Sequence, residues 1–124
     1  MRRYKVTVTT AADGTATAYA PKTSGEIHSI QYVKDGTAAA FADGVDFTIT
    51  SEAAGEGIWT EANVNASAVR YPRAPTHSQA GVPALYAAGG TAVSARIALG
   101  GDRVKIAIAQ GGNAKRGSFH VLVE

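Results

Sequence analysis

Cysteine is absent from the chain, so neither disulfides nor thiolate metal sites are available to brace it. A large excess of charge of either sign is also lacking. The net charge is +2 and the pI lies near 9.0, too mild a basic balance to argue for nucleic acid by itself. No apolar run reaches membrane-spanning length, and Met1-Arg2-Arg3 is followed by alternation and not by an apolar segment. Neither a signal peptide nor a membrane span is expected, and synthesis is expected to end in the cytoplasm. Large side chains are few as well: the apolar share is 45 %, but much of it is alanine, and 14 residues are glycine. The expected core therefore rests on Tyr4, Phe41, Phe47, Trp59, Tyr86 and Phe119 with the strand valines and isoleucines. So thin a core suits a subunit that gains burial by oligomerising or docking.

What is present alternates. Tyr4, Val6 and Val8 interleave with Lys5, Thr7 and Thr9, which predicts a half-buried strand over 3–9. Asp13-Gly14 reads as a turn, with 15–20 as the hairpin partner of that strand. Further strands are expected over 26–34, 45–50, 58–64 and 66–71, punctuated by Asp35-Gly36, Asp43-Gly44 and the glycines of 55–57. At the C-terminus, two alternating runs flank Gly100-Gly101. Counted out from a two-residue turn there, Ile97 opposes Val104, Ala95 opposes Ile106 and Val93 opposes Ile108. A third run, 118–124, carries Phe119, Val121 and Val123 at one parity, so a C-terminal three-stranded meander is expected. Nowhere does a helical stripe exceed about two turns. The fold class is all-β: a single antiparallel sandwich or barrel-like domain over 1–124.

Between Pro72 and Pro83 the alternation stops. Three of the four prolines fall there, so 72–83 is expected to be an extended loop or arm, of a length that is usually functional.

Signatures of catalysis are missing. His28, His77 and His120 stand at no metal-ligand spacing, and Asp43-Gly44-Val45-Asp46 lacks the further oxygens of a calcium loop. Glu52, Glu56 and Glu61 flank a glycine break where solvated acids are expected. No serine sits in a nucleophile elbow, and no Gly-Gly pair opens a phosphate-binding helix. The protein is read as no enzyme, with no cofactor and no metal.

The binding features are richer. Arg70, Tyr71, Arg73 and His77 run into the proline-rich segment, where an extended backbone lowers the cost of ordering on a partner. Arginine and tyrosine also dominate interface energies. Arg96, Arg103 and Lys105 form one basic face of the expected meander, with Lys115, Arg116 and His120 beside it. No outward aromatic interleaves with these cations, so an acidic protein surface is a more economical partner than nucleic acid. Trp59 is read as a core residue, the competing reading being a sugar-stacking platform.

The stretch FADGVDFTITSEAAGEGIWTEANVNASAVRYPRAPTHSQAG, followed by ALYAAGGTAV and GGNAKRGSFHVLVE, resembles small structural proteins of tailed phages and prophages. The resemblance implies a head decoration (cement) protein, assembled in the host cytoplasm, that docks as a homo-oligomer on the major capsid protein at the virion surface. Its alternatives are a neck or tail component and a receptor- or carbohydrate-binding sandwich on the particle. On this reading the contact residues are expected to be Arg70, Tyr71, Arg73, His77, Arg96, Arg103 and Lys105.

Overall fold

A computed structural model describes all 124 residues. The chain is all-β, without a helix: eleven strands, β1 Arg2–Thr9, β2 Ala16–Tyr19, β3 Thr23–Lys34, β4 Asp46–Ser51, β5 Gly57–Glu61, β6 Ala68–Arg70, β7 Arg73–Pro75, β8 Ser94–Arg96, β9 Ala98–Asp102, β10 Val104–Ala109 and β11 Arg116–Val123. A first antiparallel sheet runs β1-β11-β3-β6, with β9 also on β3; a second runs β2-β10-β4-β5; β7 and β8 form a separate ribbon. The two larger sheets curl around one core, as expected of a β-sandwich or half-barrel.

Alternation explains the core. Phe119, Val121 and Val123 of β11 turn inward with Ile30 and Tyr32 of β3, and meet Phe47 and Ile49 of β4 and Ile106 and Ile108 of β10. Phe47 is the aromatic hub, 4.8 Å from Tyr32, 5.0 Å from Phe119 and 5.5 Å from Trp59 between ring centres, all edge-on. Trp59 is only 6 % exposed and belongs to the core, as read from the sequence. Tyr4 is half-buried. Tyr86 breaks that expectation: it is 75 % exposed, far from the core.

The strand partners differ from the expected hairpins. The strand β2 pairs with β10 and not with β1, because the Asp13-Gly14 turn carries the chain from one sheet to the other. Likewise no C-terminal meander forms. The strand β11 lies between β1 and β3, and β10 between β2 and β4, so β10 and β11 belong to different sheets. Gly100-Gly101 is a bulge and not a hairpin turn. Thr23 pairs with Asp102 and Gly25 with Leu99, so Gly100 and Gly101 together oppose the single residue Ser24. Gly101 takes the left-handed conformation this requires, at φ 61°, and donates its N–H to Ser24 Oγ at 2.8 Å. Ile97, Val104, Ile106 and Ile108 are all buried, but across the interior from two sheets and not side by side in one.

One topological feature positions everything that follows. Arg70 pairs with Ile30, and the Ile97 carbonyl accepts the Ile27 N–H at 2.8 Å, so β6 and β9 lie in line along the same edge of β3. They form one interrupted edge strand. The residues between them leave the sheet opposite 27–29 of β3 and return to it there.

Candidate functional site

That excursion is the arm. The sequence predicts a loop over 72–83; the folded arm spans Arg73–Arg96, and Pro72 is buried at its root. It is ordered, not slack. The stem pairs Arg73 with Arg96, Ala74 with Ala95 and Pro75 with Ser94. Beyond the stem the ribbon forks at a three-way junction. Thr76 N–H donates to the Val93 carbonyl at 2.8 Å, Val93 N–H to the Ala84 carbonyl at 2.9 Å, and Ala84 N–H to the Thr76 carbonyl at 3.0 Å. One prong turns through Ser78–Val82 and the other through Tyr86–Thr91, each closed by its own backbone hydrogen bond. These bonds tie the arm's backbone to itself.

The side chains are not satisfied in the same way. No residue from Arg73 to Arg96 is buried, and none between those two arginines is Asp, Glu, Lys or Arg. Val82 is 61 % exposed, Tyr86 75 %, Leu85 lies on the same prongs, and Tyr71 at the root is 60 % exposed. Burying Val82, Leu85 and Tyr86 on a partner would contribute about 1–2 kcal/mol each, with no buried charge to desolvate. The sequence showed only the loss of alternation over 72–83; residues 93–97 read there as an alternating strand, and the fold places 93–96 in the arm. Its exposed apolar side chains were not visible, because Tyr86 read as a core residue.

Of the expected contact residues, four gather on or beside the arm. Tyr71 stands edge-on to His28, with ring centres 5.8 Å apart. Arg73 and Arg96 face each other across the stem, a like-charge pair in which Glu124 neutralises Arg96, while Arg73 donates to the Pro72 carbonyl at 2.7 Å. His77 bridges to Pro83 in one prong. The other three lie elsewhere. Arg70 grips Glu61 through two hydrogen bonds of 2.9 Å and lies 5.4 Å over the Trp59 ring, tying β6 to β5 across the two sheets. The Arg70 guanidinium, and next the Trp59 indole N–H at 3.0 Å, hold the Glu61 carboxyl below the usual range. Arg103 pairs with Glu52 and lies 4.0 Å over the Tyr19 ring, and Lys105 pairs with Tyr19 and Thr50 on the second sheet. The single basic face expected from the sequence is therefore split: Arg103 and Lys105 stay together beside Tyr19, while Arg96 stands on the stem of the arm. Without the meander, Arg96 and Lys105 are not neighbours.

No three His, Asp or Glu side chains converge on a point. The surface depressions hold at most about 440 Å³ and are lined chiefly by polar side chains, among them Lys22, Glu52, Asp102 and Arg103. Comparison with known family models, curated proteins and solved structures finds no match to this chain.

Proposed function

We propose that the protein is a docking subunit of a larger protein assembly, and specifically a decoration protein that grips the major capsid lattice of a tailed-phage head through its arm. The arm carries this reading. A monomer gains nothing from a forked ribbon that buries none of its residues yet fixes its own backbone; a partner gains an ordered, uncharged fork whose limbs carry the exposed Val82, Leu85 and Tyr86. Exposed apolar side chains grouped in this way mark interaction sites. The head location follows from the sequence resemblance, and a subunit that repeats over a shell suits a symmetric oligomer.

The test is stoichiometry. Quantitative mass spectrometry of purified particles is expected to give this protein at a copy number commensurate with the major capsid protein. A small ring-like number would move it to the neck or tail, and absence from the particles would overturn the reading.

A further inference from the structure

The outer face of the first sheet carries a different surface. Tyr4, Val6 and Val8 point toward the core, so Arg3, Lys5 and Thr7 point out. The pairing register sets Lys5, His120, Gln31 and Val69 in one row across β1, β11, β3 and β6, and Thr7, Ser118 and Val33 in the next. No Asp or Glu stands among these positions. Four of the chain's acids are engaged elsewhere, Glu61 with Arg70, Glu124 with Arg96, Glu52 with Arg103 and Asp35 with Arg116. Arg3 and Lys5 have no carboxylate partner.

Arg3 lies across the strands, donating to Gln31 Oε1 at 3.0 Å and meeting His120 Nδ1 at 3.2 Å. A guanidinium only donates, so Nδ1 accepts and the ring proton sits on Nε2. Burial, then Arg3 and Lys5, lower the His120 pKa and keep the ring neutral. The cluster therefore offers the Lys5 ammonium, the remaining Arg3 N–H groups and the His120 Nε2–H, all held on paired strands. Val33 and Val69 beside it are partly exposed, and no aromatic ring projects from the rows. Apolar and basic groups without a stacking platform fit a protein surface better than a nucleic acid strand.

We propose that this face is a second docking surface, separate from the arm, that binds an acidic segment of a protein partner through Arg3, Lys5 and His120. An incoming carboxylate replaces the missing counter-charge and favours the imidazolium: the added proton goes to Nδ1, which releases the Arg3 guanidinium from that nitrogen to the carboxylate, so binding takes up a proton and strengthens as the pH falls below the ordinary histidine value of about 6.5. Besides Arg3 and Lys5, no titratable group faces His120 in these rows.

A hexaglutamate peptide titrated into isotopically labelled protein at low salt, followed by NMR, tests this. Shifts are expected at 3, 5, 31 and 120, with a raised His120 pKa and at least tenfold weaker binding in Arg3→Gln/Lys5→Gln. Both substituted residues are exposed, and a Lys22→Gln/Lys34→Gln control removes the same charge without loss. Deleting the arm is expected to leave the binding intact, so this proposal and the arm reading fail separately. Shifts mapping elsewhere, equal losses in the control, or tighter binding of a thymidine oligonucleotide than of hexaglutamate would overturn it.

Discussion

Replacing Arg73–Arg96 by about four flexible residues leaves a domain that folds, because the arm is an excursion from an edge strand and not part of the core. Arg70 sits at Ile30 and Ile97 beside Ile27, so the new connection spans about three strand residues, roughly 10 Å. The deletion removes the Arg96–Glu124 ion pair, worth about 1 kcal/mol or less at this exposure, and the packing of the partly buried Ala74, worth less than about 1 kcal/mol. Shortening the loop from about 26 residues to about 6 returns about 1 kcal/mol of closure entropy. The net change is expected within about 1 kcal/mol of zero, small against the roughly 5–15 kcal/mol typical of a domain. Urea unfolding followed by the fluorescence of Trp59, the sole tryptophan and buried on β5, reads this directly. A loss above about 3 kcal/mol on that scale, or the disappearance of a cooperative transition, would refute the reasoning and make the arm part of the folding unit.

Four further outcomes follow from the packing. The Tyr32 hydroxyl is buried without a partner at 2 % exposure, so Tyr32→Phe is expected to be neutral or to stabilise by about 1 kcal/mol in the same urea assay; a loss above about 1 kcal/mol would mean the hydroxyl is bonded. Burial, with a smaller contribution from Asp35, pushes the Tyr32 pKa up to about 12. The folded state thus holds this proton while the unfolded state releases it above about pH 10, so stability falls from there through pH 12, and less steeply in Tyr32→Phe. Arg70→Ala opens the clip between the sheets and is expected to cost about 1 kcal/mol and to change Trp59 emission; unchanged emission would deny the guanidinium–indole contact. Gly25 stands at φ 133°, where an added Cβ would collide with the Glu124 carbonyl oxygen, so Gly25→Ala is expected to cost about 3 kcal/mol, and a melting temperature equal to the parent's would contradict the close approach.

Alternation made the strands legible because each strand has one face on the core: Phe119, Val121 and Val123 behave as their parity requires. Parity does not name a partner, however. Ile97 and Val104 bury equally well side by side in a hairpin or across a sandwich, and Gly-Gly suits a bulge as well as a turn. Tyr86 misleads for a related reason. Its residue type belongs to cores, and only the long-range in-line placement of β6 and β9 shows that it rides on an excursion. The acid-free face over Arg3, Lys5 and His120 was equally hidden, since β1 and β11 are separated by most of the chain and meet only in the folded sheet.

Cosedimentation of the wild-type and arm-deleted proteins with capsids stripped of this subunit tests the central claim most directly. The account predicts that the wild type pellets with the capsids to saturation, while the arm-deleted protein, folded by its urea transition, stays in the supernatant. Equal pelleting of the two would contradict it.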